Sequence, residues 1–418
     1  MLRTIFDILN GKMAELKRTL RLGEVIFFAS GVIIGAGIYT VIGKAAGLGG
    51  NMLWLSFAIA SLTALLTIFA YAELSAMYPK AGGEFFYVKE ILGKKFAYVI
   101  GCVVALGGIV GAATIAIGFS GYLAELIDFN KLIAALLITA FILLVNTIGI
   151  KQSSLFNIIF TIIEACGLIF VIYCAINLSE DLEFFKLPPG GVNGILSAAA
   201  LGFFAFTGFE DTVKLAEETK NPATTIPKAL FSSATIVILL YIIIALSSVS
   251  AISFEELEKS DSPLADIAEK KFGRPGAIGL AVVALFSTSN SLLSNMLGAS
   301  RIVYQMAKES SSRNVLSKIS EKRQTPIPAL LLCACCSGGF IFIGDIKSVA
   351  LIANFFVFAT FLTINITVIC GRFTKSKEER PFRIPLNIKN VPVISGVAVL
   401  MLLVLIGYAV TNLSHFIE

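Results

Sequence analysis

The segment Ser30-Gly31-Val32-Ile33-Ile34-Gly35-Ala36-Gly37-Ile38-Tyr39 sits inside a long apolar run, with glycines where a membrane helix needs uninterrupted winding. In hydrocarbon an unpaired amide or carbonyl costs several kcal/mol, so a helix breaks there only where the break meets protein or lines a polar cavity. Gly35 stands eleven residues beyond Glu24, roughly 16 Å at about 1.5 Å per residue, near the middle of a ~30 Å apolar layer. Carriers hold their solute at that depth. Gly31 and Gly35 also form a Gly-x-x-x-Gly pattern, a close-packing device for membrane helices, so the motif alone leaves packing and binding open.

The rest of the chain requires a bilayer. Hydrophobic side chains make up 56% of 418 residues, charged ones 15%, and mean hydropathy is +0.87. A soluble domain of this length cannot cover so much apolar surface. Apolar runs at 24–46, 52–77, 96–122, 132–149, 154–177, 193–213, 229–252, 277–305, 327–343, 348–370 and 392–412 predict eleven spans in an all-α integral membrane fold. With the N-terminus inside, 25 of the 33 Lys and Arg residues fall in inner segments, which places the N-terminus in the cytoplasm and Glu418 outside. The net charge of +5 is a matter of topology and calls for no nucleic acid partner. Residues 1–21 read as an amphipathic cytoplasmic arm, not a signal peptide. The transporter core is expected over 22–372, a basic cytoplasmic loop over 373–391, and the eleventh span with an external C-terminus over 392–418.

The seven cysteines lie in apolar stretches without Cys-x-x-Cys spacing and read as small buried hydrophobes. His415, the single histidine, stands close to the C-terminus. With no Ser/His/Asp or metal-ligand cluster, the sequence argues against an enzyme, a metal and any cofactor beyond a coupling ion. Extramembrane segments of about twenty residues are too short for the output domain of a sensor.

A second interruption favours binding over packing at the first. In span 6, Gly202-Phe203-Phe204-Ala205-Phe206-Thr207-Gly208-Phe209-Glu210 puts Thr207 and Gly208 about 14 residues in, roughly 20 Å deep. Two breaks at matching depth in spans 1 and 6 are what an inverted repeat of five plus five spans produces. Span 5 carries Glu164 eleven residues in, at a cost of about 2.5–3.5 kcal/mol on insertion scales, and such carboxylates mark ion or proton paths. The alternative is a protonated glutamate bonded to a neighbouring helix. Span 8 holds Ser287-Thr288-Ser289-Asn290-Ser291 near mid-membrane, where hydroxyls satisfy helix carbonyls or line an ion site facing span 1. The loop Tyr78–Glu84 reads as a structural turn, Pro227 as the start of span 7, and 253–274 as a solvated acidic helix with an apolar stripe at Leu264, Ile267, Ala268 and Phe272.

Four stretches in order, Gly31–Tyr39, Tyr71-Ala72-Glu73-Leu74 through Gly83, Phe204–Glu210 with Glu217–Pro222, and Ser300–Tyr304, resemble the amino acid/polyamine/organocation (APC) superfamily of transporters over roughly residues 22–390. The resemblance implies an inverted repeat of about 22–177 and 191–372, with discontinuous spans 1 and 6 holding the substrate. It implies that the amides of Ala36 and Gly37, beside Gly35, meet an amino acid carboxylate, while carbonyls around Ile33, Phe204, Ala205 and Thr207 take the ammonium. Half-helix dipoles of opposite sense suit a zwitterion. By the same resemblance Phe204 closes over substrate, Glu210 gates the inner side, and Ser287 and Thr288 join the Gly31 and Ile34 carbonyls around a coupling cation. Phe206 either joins the pocket wall or is lipid-facing packing. Phe204, Phe206, Ile33 and Val110 suggest an apolar pocket for neutral amino acids. Polyamines rank lower, because no acidic residue is evident for a second ammonium unless Glu164 serves.

Two departures stand out. Many proton-coupled relatives have lysine where this chain has Glu164, which leaves proton coupling as the leading expectation and sodium as the alternative. Relatives usually have twelve spans, and this chain shows eleven, so the oligomeric state is left open. The resulting expectation is a multi-pass protein of the plasma membrane, embedded in lipid, that moves amino acids by alternating access. Exchange, sodium coupling, polyamine transport and sensing without transport are the other readings.

Overall fold

The computed structural model describes residues 18–80, 83–148, 154–176, 178, 183–310, 315–320 and 325–417, so most of the amphipathic arm expected at 1–21 lies outside the described residues. Helices α1 (Leu22–Gly49), α2 (Leu53–Met77), the short α3 (Gly83–Leu92), α4 (Lys94–Ala124), α5 (Lys131–Ile148) and α6 (Ser154–Ala175) come first. They are followed by α7 (Gly191–Gly202), the one-turn α8 (Phe209–Thr212), α9 (Pro222–Ala251), the paired α10 (Phe254–Lys259) and α11 (Pro263–Phe272), and α12 (Arg274–Ser310). The chain ends in α13 (Ile327–Ile341), α14 (Ile346–Thr374), a two-stranded ribbon (Asn387–Ile388 with Val391–Pro392) and α15 (Val393–Ile417).

Each apolar run of the sequence falls on helix. Seven stretches are long and apolar enough to cross a membrane, the first of them, Leu22–Met77, containing both α1 and α2. Three further apolar helices, Lys131–Thr147, Ile159–Ala175 and Ile327–Ile341, are shorter. The packing centres on α1, which touches α6, α7, α9 and α10, while α4 is clasped between α12 and α14. Leu and Ile side chains such as Leu137, Leu144, Leu239 and Leu400 remain exposed on the outside of the bundle, where a soluble protein would bury them.

Three local expectations change. Helix α9 starts at Pro222, its first helical position, and Pro227 lies inside it. Proline at the first position forfeits no helical hydrogen bond, so the earlier proline starts the helix. Among the cysteines only Cys174 and Cys333 are buried; Cys102, Cys166, Cys335 and Cys336 lie on exposed helix faces, which in hydrocarbon suits a small apolar side chain equally well. The acidic segment folds as two helices, α10 and α11, with Leu264, Ile267 and Ala268 buried. Phe272 instead stays 45% exposed and stacks on Phe170, ring centroids 5.5 Å apart.

One end of the bundle is tied by Glu73, fully buried near the end of α2. Its carboxylate accepts from Arg372 Nη2 at 2.5 Å, from Arg380 Nη1 at 2.5 Å and from the Ile384 amide at 2.9 Å. This fastens α2 to the end of α14 and to the segment leading into α15. Beside it the Tyr78 hydroxyl donates to Glu378, and that hydrogen bond holds the Glu378 carboxyl below its usual range. At the same end Lys89 of α3 pairs with Glu309 of α12 at 2.6 Å. Removing one partner of a buried charge cluster leaves the other uncompensated, at about 3–5 kcal/mol. Glu73→Ala is therefore expected to lower the detergent-solubilised unfolding temperature by several degrees, read by intrinsic fluorescence; an unchanged temperature contradicts the tie.

Candidate functional site

Both expected interruptions are present. Gly35 takes φ −17 and ψ −150 inside α1, so two helical halves meet there. In the second, α7 tightens into a 3₁₀ turn over Phe203–Phe206, Thr207 is extended at φ −74 and ψ 156, and Gly208 is left-handed at φ 112 before α8 begins. The two breaks touch. A Cβ at Gly37 would stand 2.6 Å from Ala205 Cα, and one at Gly208 would stand 2.9 Å from the Val32 carbonyl oxygen. Only glycine permits that approach, and at Gly208 only glycine accepts the backbone angle without strain.

The opened ends find partners, some on other helices and some within the second break itself. The Tyr241 hydroxyl of α9 lies 2.8 Å from the Ile33 carbonyl and 3.1 Å from that of Ile34, at the end of the first half of α1. The Ala36 amide, which starts the second half, donates to Ser291 Oγ of α12 at 2.8 Å. On the other break, Asn354 of α14 donates to the Ala200 and Leu201 carbonyls at 2.7 and 3.1 Å. The Phe204 carbonyl accepts from the Thr207 hydroxyl at 2.8 Å, and the Gly208 amide donates to Glu210 Oε2 at 2.8 Å.

Between the breaks lies a cavity of about 70 Å³, room for several waters. Gly31, Ile33, Ala36 and Gly37 from α1 line it, with Phe204, Thr207 and Glu210 from the second break. The facing wall is Asn290, Ser291, Ser294 and Asn295, one helical face of α12. Gly35 and Ala205, expected at the binding site, belong to the breaks but do not line the cavity. Phe206 does not line the cavity: it is 3% exposed and packs on Tyr241 and Phe57 with centroids 5.2 and 6.0 Å away. Val110 is also absent from the wall, fully buried within the bundle. The apolar pocket expected from these residues is thus half polar, because α12 turns its amide and hydroxyl face inward.

Glu164 is 1% exposed, and neither carboxyl oxygen has a hydrogen-bond partner. It lies beside Ser287 and Asn290 of α12, and Asn290 in turn lines the cavity. The Glu164 backbone carbonyl accepts from the Tyr39 hydroxyl at 3.2 Å. The two span 8 residues singled out in the sequence part company: Ser287 Oγ is buried and unpartnered, whereas the Thr288 hydroxyl is spent on Ala284 O of its own helix at 2.7 Å. The Ile34 carbonyl faces Tyr241, and the Gly31 backbone lies against the Thr161 side chain.

Toward α10 and α11 stands a layer of charged contacts, part of which borders a separate pocket of about 320 Å³. There Lys44 donates to the Glu258 carbonyl, Lys131 pairs with Asp261, and Arg274 Nη1 meets Glu125 Oε2 at 2.7 Å. Beneath them Tyr122 and Tyr39 stack edge-on at 6.1 Å, the Tyr122 hydroxyl bonding the Tyr39 carbonyl at 3.1 Å. Toward the Glu73 end the space continues into a second chamber of about 80 Å³, sharing Phe204, Thr207, Glu210, Asp211, Ser294 and Asn295 with the first.

A model built on amino acid permeases matches residues 20–415. The chain belongs to that family. It lies within the APC superfamily that the four sequence stretches resemble. A branched-chain amino acid permease of Bacillus subtilis is 27% identical over 430 residues, covering 97% of this chain and 91% of that protein. The methylthioribose transporter of the same bacterium is 27% identical over 408 residues, covering 93% and 88%. Cationic amino acid transporter 1 of Arabidopsis thaliana is 27% identical over 378 residues, 86% of this chain and 63% of the longer plant protein.

The stretch Ser287–Ser291 contributes Asn290 and Ser291 to the cavity, and the permease has further site residues that the sequence reading passed over: Ser294 and Asn295 continue the same polar face at helical spacing. Tyr241 and Asn354 carried no such signal, being single polar residues in apolar helices whose partners are more than 150 positions away. Deleting the Tyr241 hydroxyl strands two buried carbonyls, at about 1–3 kcal/mol each when left unsatisfied. Tyr241→Phe is expected to lower the unfolding temperature and weaken ligand-induced stabilisation; a variant as stable as the parent contradicts that role.

Proposed function

We propose that the permease is a secondary transporter that moves amino acids across the plasma membrane by alternating access. The observation that carries this reading is the shared cavity at the two breaks, with the Ala36 amide end on one side and the freed carbonyls of Ile33 and Phe204 on the other. A zwitterion's carboxylate would exchange with Ser291 at Ala36, and its ammonium would share the carbonyls now held by Tyr241 and Thr207. Half-helix ends favour each pole. The amino acid substrates named for two of the relatives support the same class.

In this reading the bundle crosses eleven times with the N-terminus cytoplasmic, and its core comprises two inverted repeats of five spans, about 22–177 and 191–372. The α10–α11 side is the outer gate. The chamber leading toward Glu84 and Lys214 is the inner exit, with Phe204 and Glu210 at its entrance.

Glu164 is the proton carrier of the proposed cycle. A buried carboxyl with two unpartnered oxygens is stable when it holds a proton or a cation, and the nearby Asn290 links it to the substrate cavity. In proteoliposomes, an inward proton gradient is expected to drive labelled amino acid uptake. Glu164→Gln is expected to abolish gradient-driven accumulation while substrate exchange persists. Concentrative uptake by Glu164→Gln refutes the proton role, and dependence on sodium alone replaces the proton with sodium.

A further inference from the structure

The second chamber carries more charge than neutral substrates require. Glu84, from the turn that reads as structural in the sequence, starts α3 and is fully buried, with its side chain lining this chamber. Its Oε1 accepts from the Tyr71 hydroxyl at 3.1 Å, but Oε2 has no partner. Glu210 and Asp211 line the same space. Lys214 is the cation among them; its Nζ sits 2.5 Å from Asp211 Oδ1, with Glu84 and Glu210 within electrostatic reach. Lys214 is paired with Asp211, which leaves Glu84 and Glu210 without a cation of their own, and a buried carboxyl so placed holds a proton or takes up a cation.

Shape agrees with charge. The α4 wall of the chamber is Gly107, Gly108 and Gly111, and Gly298 stands on α12. A Cβ at Gly107, Gly108 or Gly111 would meet Phe356 Cβ, Ala299 Cβ or Asn295 Oδ1 at 3.4, 3.1 and 3.3 Å, whereas one at Gly298 would meet nothing within 4 Å, so the room left by a missing side chain is at Gly298. Because Phe204, Thr207, Asn295 and the acidic pair line both spaces, a ligand anchored by its α-amino and α-carboxyl groups at the breaks can extend its side chain downward.

We propose that this chamber receives the positively charged end of a basic amino acid, with Glu84 Oε2 facing the ammonium or guanidinium and the methylene stem passing the open backbone at Gly298. The inference rests on the transport reading above and adds the substrate class. It also supplies the acidic residue for a second cationic group that the sequence did not reveal. A planar guanidinium can bridge two carboxylate oxygens, so arginine fits at least as well as lysine.

The test uses the full chain in proteoliposomes with labelled alanine and labelled arginine. Unlabelled arginine and lysine are expected to inhibit alanine uptake at concentrations at least tenfold below leucine. Glu84→Gln, which keeps an acceptor for Tyr71, is expected to cut the arginine-to-alanine ratio of initial rates tenfold or more. Equal loss of both rates overturns the proposal, as does saturable alanine uptake that arginine and lysine do not inhibit. The competition assay needs only the parent protein, so a misfolded variant does not shield the proposal. Alanine uptake that requires sodium, is lost in Glu84→Gln and ignores arginine assigns the chamber to an inorganic cation and overturns it as well. If no amino acid, neutral or basic, is bound or moved, the transport reading itself falls.

Discussion

A peptide group opened in hydrocarbon must be met by another polar group, and the architecture follows from that demand. Two helices of this permease stop winding deep in the bundle, exposing carbonyls at Ile33, Ile34, Ala200, Leu201 and Phe204 and amides at Ala36 and Gly208. Each is met by a side chain: Tyr241, Asn354, Thr207, Ser291 and Glu210. The partners come from α9, α12, α14 and the second break itself, so those helices are placed by the polar groups they must reach as well as by apolar packing.

This arrangement joins stability to exchangeable binding. Hydroxyls and amides that cap the breaks can yield to a ligand's charged groups, since a protein side chain and a ligand group satisfy the same peptide dipole. In the proposed reading a ligand replaces those caps without leaving a peptide group unmet. The surrounding scaffold is held more firmly: the Glu73 cluster anchors one end of α2 and α14, and Lys44 and Lys131 hold Glu258 of α10 and Asp261 beside α11 toward the other.

Charge inside the bundle is arranged in two tiers. Glu164 lies behind the cavity wall, beside Ser287 and Asn290, removed from direct contact with the cavity. Glu84, Glu210, Asp211 and Lys214 lie below it, in the space a solute enters on leaving the breaks. In the proposed cycle the first tier responds to a bound solute through Asn290 and the second selects among solutes by their side chains.

The sequence by itself determined the membrane class, the helical runs and the positions of both interruptions along the chain, because glycine content and hydropathy act locally and need no knowledge of neighbours. It also made Glu164 conspicuous, since a carboxylate amid apolar residues is visible at any span. Only the tertiary structure decided which groups close the breaks, that Phe206 packs away from the cavity, that Thr288 is spent on its own helix, and that Glu84 enters a chamber. Those outcomes depend on which helix faces which across more than a hundred positions of chain. A single tyrosine or asparagine in an apolar run reads the same whether it meets lipid or an opened carbonyl, and only the assembled bundle distinguishes the two.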